Sequence, residues 1–431
     1  MPKYAIVGAG PSGLAAARNL DRHSLDFEGF EMASGVGGLW DIDSPLSTVY
    51  ESAHLISSKT TTEFSEYPMP AGTSDYPGHS ELAEYFNSYA DHFSLRDRFL
   101  FNTEVTDVSP VGDLWAVTFK NQDGVTETRT YDGVLIANGT LSEPNIPNIP
   151  GEFAGEIFHT SKYKSPRVFA DKHVLIVGAG NSGCDIAVDA VHHAKSVEMS
   201  VRRGYYFVPK YVFGKPADTL NQGKPLPPRI KQFIDKRLLQ LFTGDPVKFG
   251  FPKPDYKIYE SHPIVNSLVL HHLGHGDLRI RKDIRQFSGN TVEFVDGTTG
   301  EYDQVVLATG YKLHYPFIDP KHLNWTGDAP NLFLNIFSPN SPNLFVLGMI
   351  EASGIGWQGR AEQSELVALF LAAKHYNPEQ ADSFVQKMRQ PWPDLSGGYK
   401  YLGLERMSYY VNKDAYRREI KKLVNEFKES R

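Results

Sequence analysis

The chain is poor in the features that mark secreted, membrane-spanning and nucleic-acid-binding proteins. Its 431 residues include one cysteine, Cys184, so neither an intrachain disulfide nor a two-thiol redox pair can form. That excludes dithiol reductase chemistry of the usual kind and fits a reducing compartment. No run of about 18 apolar residues occurs, and the N-terminus passes from Tyr4-Ala5-Ile6-Val7 into glycines before a signal-peptide pattern can develop. The expectation is a cytoplasmic protein with no membrane partner. Positive charge is not in excess: 44 Lys and Arg stand against 51 Asp and Glu, a net charge of −7, with no concentrated basic stripe to hold a polynucleotide.

What is present is a globular composition, 41% hydrophobic and 22% charged, long enough for two domains. Two segments repeat each other. Tyr4-Ala5-Ile6-Val7-Gly8-Ala9-Gly10-Pro11-Ser12-Gly13 and Val174-Leu175-Ile176-Val177-Gly178-Ala179-Gly180-Asn181-Ser182-Gly183 each read as a strand, a GxGxxG turn and a helix start. The first glycine of such a motif makes the turn, the second lets backbone approach a pyrophosphate, and the third allows close helix packing. The helix N-terminus then meets the negative charge with unpaired N–H groups. Two copies in the right context predict an α/β fold with two Rossmann-like dinucleotide-binding domains.

The residue that ends the second strand of each unit faces the adenosine ribose and separates the two sites. Phe27 to Phe30 runs into Glu31, 18 residues past Gly13; a carboxylate suits ribose hydroxyls, hence FAD or NAD, and repels a phosphate. Val197 to Val201 runs into Arg202 and Arg203, the former 19 residues past Gly183; guanidinium suits the 2′-phosphate of NADPH, with NADH left open as an accepted alternative. Together the sites imply that a nicotinamide delivers hydride to a flavin.

Elsewhere Leu82, Phe86, Tyr89 and Phe93 recur at helical spacing, and Leu114 to Lys120 and Val125 to Thr130 flank a hairpin turn at Asp123-Gly124. Pro144 to Pro150 forms a connector. Prolines and glycines over residues 205–275 suggest an irregular insertion around a helix near Ile230 to Phe242, and long helices are expected near 357–376 and 413–428. His271, His272 and His275 invite a metal reading, but Gly274 and Gly276 disfavour a helix there, so no metal is expected. Cys184 reads as a packing residue.

The chain resembles the class B flavin-dependent monooxygenases, in particular the flavin-containing monooxygenases, over about residues 4–376. The family fingerprint FxGxxxHxxxY is met by Phe153, Gly155, His159 and Tyr163 just before the second turn. Gly37-Gly38-Leu39-Trp40, the GxGNSGxD form of Gly178 to Asp185, and Asp303 with Leu307-Ala308-Thr309-Gly310-Tyr311 agree with it. The resemblance implies an FAD domain (1–165 and 296–431) split by an inserted NADPH domain (166–295). It implies oxygenation of a soft nitrogen or sulfur of a small substrate by O2 through a C4a-hydroperoxyflavin. Gly8, Gly10, Pro11, Ser12, Gly13 and Glu31 would hold FAD, with Gly38, Leu39, Trp40, Ile56, Thr309 and Gln363 on the flavin side. Gly178, Gly180, Asn181, Ser182, Gly183, Arg202 and Arg203 would hold NADPH, and His159 would be structural.

Two departures bear on the chemistry. Ile56 stands where the family has an asparagine beside the flavin, leaving His54, Ser57 or Ser58 as candidate polar contacts. Baeyer–Villiger relatives carry tryptophan and then proline or aspartate at the fingerprint's end, where this chain has Tyr163-Lys164; that favours heteroatom oxygenation, while the loss of the asparagine weakens it. Baeyer–Villiger oxygenation of ketones and an uncoupled NADPH oxidase stay open, as does a homodimer.

Overall fold

The computed structural model describes residues 2–221 and 226–429, so residues 222–225 of the expected insertion lie outside the described chain. Two five-stranded parallel sheets carry the architecture. The first orders its strands Leu344–Val346, Gly133–Ile136, Lys3–Val7, Asp26–Phe30 and Phe99–Leu100. The second orders Glu156–His159, Gln304–Leu307, His173–Val177, Ser196–Ser200 and Leu278–Arg281. Every neighbouring pair in both is parallel, which requires crossovers between strands and buries both faces. Position by position the sheets correspond, with a glycine turn after the central strand of each.

The second sheet is wider than expected. Glu156–His159 and Gln304–Leu307 lie outside the 166–295 limits yet pair within it. Gln304–Leu307 is a fully buried four-residue strand, as is Gly133–Ile136 at the same place in the first sheet. With no polar alternation to orient it, such a strand carries no local sign of which sheet it joins. The chain crosses between the sheets along two paired segments: Glu143–Pro144 runs antiparallel to Tyr311–Lys312, and the Asn145 N–H donates to the Gly310 carbonyl at 2.9 Å.

Helix Pro11–Arg22 begins at a proline, whose missing N–H is no loss at a helix start. Its small buried residues Ala15, Ala16 and Ala17 allow close packing on helix Gly356–Tyr376. The C-terminal helix Lys413–Glu429 buries Tyr416, Ile420, Leu423, Val424 and Phe427, the apolar face its periodicity predicts. The hairpin turn at Asp123-Gly124 joins two strands of a small antiparallel sheet. Helix Pro228–Thr243 lies in the insertion, which packs on the first unit: Tyr211 donates to Asp75 at 3.1 Å and Tyr76 donates to the Lys210 carbonyl.

One local expectation is overturned. Residues 268–275 form a helix despite Gly274, because Val269 and Leu270 are buried against the second sheet's core and Gly276, at φ +85°, supplies the left-handed cap. No described helix is long and apolar enough to cross a membrane.

Candidate functional site: two glycine turns

The two turns share one steric logic. Gly8 and Gly178 both sit at φ +103°, and a Cβ on either would lie 2.7 Å from the Ala137 carbonyl oxygen or 2.5 Å from that of Ala308. A Cβ on Gly13 would fall 1.8 Å from the Gly8 oxygen, and one on Gly183 would fall 2.4 Å from the Gly178 oxygen. Glycine is required four times by backbone contact alone. The second glycines differ. Gly10 faces the Gly38 backbone, where an added Cβ would lie 3.6 Å from the Gly38 Cα, whereas Gly180 faces open space.

At the first turn Glu31 is buried, and its carboxylate accepts N–H bonds from Ala9 at 2.6 Å and Ala33 at 2.8 Å. Burial raises its pKa, and the N–H bonds oppose that rise. Ser12 is buried beside Gly348, and Pro11 opens the helix. Gly38, Leu39 and Trp40 form one 3-10 turn, and the Gly37 N–H just before it donates to the Ala9 carbonyl at 3.0 Å. Trp40 meets Trp357 edge to face, 6.3 Å between ring centres. Trp357 itself is buried among Phe64, Tyr85 and Phe86 and has a packing role.

At the second turn Arg202 is exposed and Arg203 half-buried. Neither makes a hydrogen bond or ion pair with another described residue, so two unpartnered guanidinium groups stand at the end of the second strand. Asn181 is committed elsewhere: its amide accepts from the Val265 N–H at 2.7 Å and reaches the Pro263 carbonyl at 3.4 Å. Its side chain therefore positions residues 263–265, and only its backbone is available to a nucleotide. Ser182 is half-buried at the helix start. Cys184 is fully buried against the Ala179 carbonyl, its thiol pushed well up by burial, as befits a packing residue.

Two further expectations are corrected. Gln363 has no exposed surface; it accepts from the Gly348 N–H at 3.0 Å and donates to the Tyr416 hydroxyl at 2.7 Å. Its amide is thus satisfied inside the protein and shapes the Gly348 turn rather than facing a cofactor. Thr309 donates to the Asn145 carbonyl at 2.5 Å and so secures the crossing between sheets. His54 is exposed, with Nδ1 2.5 Å from the Ser52 carbonyl, a local contact that engages one ring nitrogen.

Around Ile56, which is half-buried, the polar groups are Ser57, paired with Thr62 at 2.7 Å, and Ser58. Asp218, from the insertion, accepts from the Ser58 N–H at 2.7 Å, the Ser58 hydroxyl at 3.0 Å and the Thr61 hydroxyl at 2.6 Å. That clamp joins residues 160 apart and had no sign in the sequence. Two of the fingerprint residues, His159 and Tyr163, bond to other parts of the protein. His159 Nδ1 accepts from the Ser161 N–H at 3.1 Å, which leaves Nε2 to donate to the Gly310 carbonyl at 3.0 Å. Tyr163 donates to Asp189 at 2.8 Å, and Lys164 donates to the carbonyls of Ile42, Ser47 and Val49 at 3.3, 2.9 and 3.0 Å.

A set of half-buried polar groups, with Arg406 exposed at its edge, was missed by sequence reasoning. Arg360 sits beside Gly348 and Ser12; Arg406 donates to Glu351 at 3.3 Å; His262, next to Pro263, contacts the Tyr410 hydroxyl at 3.2 Å. Burial alone would raise the Glu351 carboxyl, but Arg406, with His262 and Arg360, holds it below the usual range. Burial, aided by Arg406, lowers His262 to about 4. His262 is therefore neutral at pH 7. Because its folded pKa lies below the unfolded 6.5, the unfolded chain binds the proton more readily, and stability falls as pH drops from 6.5 toward 4. His262→Gln is expected to flatten that decline by about 2 kcal/mol, measured by urea unfolding at pH 7 and pH 4.5; an unchanged decline would place the titration elsewhere.

These residues fit two dinucleotides: paired glycine cradles, a carboxylate at one ribose position and free guanidinium at the other. Comparison with known proteins agrees. The profile of the flavin-binding monooxygenase-like family matches residues 1–388. Flavin-containing monooxygenase 5 of Oryctolagus cuniculus is 31% identical over 382 residues, covering 82% of this chain and 70% of that protein. In fold, S-allyl-L-cysteine S-oxygenase from Allium sativum superposes with a TM-score of 0.69 at 22% identity, covering 99% of this chain and 88% of that one. Cyclohexanone monooxygenase from Rhodococcus sp. Phi1, bound to NADP+, gives 0.71 at 20% identity, covering 98% and 97%. The duplicated turns, the fingerprint between them and the extent of the match make this chain a member of the flavin-binding monooxygenase-like family, a flavin-dependent monooxygenase.

Proposed function

We propose that the protein uses NADPH and O2 to oxygenate a soft nitrogen or sulfur of a small organic molecule. The observation that carries this reading is the opposite charge at the two equivalent strand ends, Glu31 at one and Arg202 with Arg203 at the other. It suits FAD in the first unit and a 2′-phosphorylated nicotinamide cofactor in the second. When bound, FAD supplies the chemistry that side chains lack, taking electrons from NADPH and passing them to O2.

The chain's own residues bind, orient and exclude water. Gly8, Gly10, Ser12 and Gly13 would receive one pyrophosphate, and Gly178, Gly180, Ser182 and Gly183 the other. Arg360, beside Ser12, would add positive charge to the first. The aromatic wall of Trp40, Trp357, Phe64 and Phe86 keeps the flavin side dry, which limits wasteful release of peroxide. No acid, base or nucleophile from the protein is required.

The heteroatom reading rests on Tyr163-Lys164 and on likeness in fold to one protein whose name specifies S-oxygenation. Ile56 supports the second reading, Baeyer–Villiger oxygenation, because the amide associated with amine oxygenases is gone. Product analysis decides: a thioether is expected to give sulfoxide faster than a cyclic ketone gives lactone, and the reverse order would install the second reading. Ile56→Asn restores an amide donor and is expected to lower the share of NADPH electrons ending as hydrogen peroxide by about threefold or more, less than one hydrogen bond's worth. An unchanged share would show that residue 56 does not govern coupling.

A further inference from the structure

Away from both turns, helix Leu268–His275 ends in a feature outside the residues assigned to either cofactor. His272 and His275, three residues apart, share one face of its last turn. Gly276 reverses the chain at φ +85°, and the Asp277 N–H bonds back to the His272 carbonyl at 3.0 Å. The reversal sets the Asp277 carboxylate over both imidazoles: Oδ2 lies 3.1 Å from His272 Nδ1 and 3.8 Å from His275 Nδ1. One ligand atom from each of the three falls within 4.8 Å of the others, a grouping that occurs once among the described residues.

We propose that His272, His275 and Asp277 bind a borderline divalent cation of the zinc class. In a tetrahedral site with bonds of about 2.0–2.1 Å, ligand atoms stand roughly 3.3 Å apart, and the observed 3.1 and 3.8 Å bracket that spacing. Two imidazoles and one carboxylate are a donor set for zinc or a similar transition metal rather than for calcium or magnesium, which prefer oxygen.

A second observation points the same way. His192, the C-cap of helix Asn181–Val191, places its ring 5.2 Å from that of His272, edge to face. It stands outside the group of three ligand atoms that lie within 4.8 Å of one another, so water would complete the coordination and His192 packs on the ligand His272. Two helix C-termini, each the negative end of its dipole, therefore converge on the three histidines. A cation there is favoured by the backbone as well as by the side chains.

Binding at Nδ1 replaces the hydrogen bond between His272 and Asp277, and the neutral imidazole then carries its one proton on Nε2. The consequence is mechanical. Helix Asn181–Val191 starts at the second glycine turn and its C-cap His192 packs on His272, so a metal that fixes the His272 ring would steady that contact in the unit proposed to hold the nicotinamide cofactor. Catalysis itself would not depend on it, since none of the three ligands touches either turn.

The test is calorimetric titration of the chelator-treated flavoprotein with zinc chloride in a non-coordinating buffer, with thermal unfolding read in parallel. The expected result is one equivalent bound at micromolar affinity and a higher melting temperature. His272→Ala and Asp277→Asn should each weaken binding at least about tenfold, and His193→Ala, an exposed histidine outside the cluster, should leave it unchanged. Metal-free NADPH oxidation should be the same in all. Binding that is undetectable in the wild type, unaltered in His272→Ala and Asp277→Asn, or equally weakened by His193→Ala would overturn the proposal and leave a simple His–Asp ion pair.

Discussion

Gly13→Ala is expected to yield a protein without bound flavin, whereas Gly183→Ala keeps its flavin and loses reduction by NADPH. The two glycines occupy the same place in the two units, and in both the added methyl would collide with a carbonyl oxygen of the preceding turn, at 1.8 Å and 2.4 Å. Neither obstacle is a flexible side chain, so the turn itself must shift, and the N–H groups aimed at a pyrophosphate move with it. A loss of roughly a hundredfold in cofactor affinity, about 3 kcal/mol, is the expected scale for displaced backbone at such a contact. The closer collision predicts the larger effect in Gly13→Ala. Flavin content after purification and the KM for NADPH read the two variants separately. If Gly183→Ala lost flavin and kept its NADPH affinity, the assignment of the two units would be reversed.

Arg202→Ala should lower kcat/KM for NADPH by about 10- to 100-fold while leaving that for NADH nearly unchanged, and Arg202→Ala with Arg203→Ala should lower it further. A charge-assisted bond to phosphate contributes about 1.5–3 kcal/mol, and neither arginine has a protein partner that would compete for it. The readout is the ratio of the two cofactors' kcat/KM. Equal losses for both would mean that the arginines stabilise the strand end and do not recognise the 2′-phosphate.

Both turns were legible in the sequence because their requirements are local: a strand, three glycines and a helix start lie within ten residues, and Glu31 and Arg202 follow at fixed distances. The amphipathic helix Lys413–Glu429 was legible for the same reason. What local pattern does not encode is partnership. Gln304–Leu307 is buried on both faces and so has no polarity to say which sheet it enters. The helix 268–275 was obscured by Gly274, whose propensity cost of about 1 kcal/mol is outweighed once Val269 and Leu270 are buried. With that helix comes the histidine cluster, which a break at Gly274 would have kept apart.

At the site, residue type predicted location better than role. Asn181 and Gln363, both expected to face a cofactor, each direct the side-chain amide at protein backbone or a tyrosine. Polar side chains near a turn serve the fold first when a loop must be held. The Asp218 clamp on Ser58 and the cluster of His262, Glu351, Arg360 and Arg406 join segments distant in sequence, so only the folded chain brings them together.

The measurement that bears most directly on this account is the stoichiometry of NADPH, O2, hydrogen peroxide and oxygenated product for the purified flavoprotein, with and without a thioether. A monooxygenase consumes one O2 per NADPH, and added thioether should divert the electrons from peroxide to sulfoxide until product approaches the NADPH consumed. Peroxide equal to NADPH with every thioether, amine and ketone offered would contradict oxygenation and leave an oxidase.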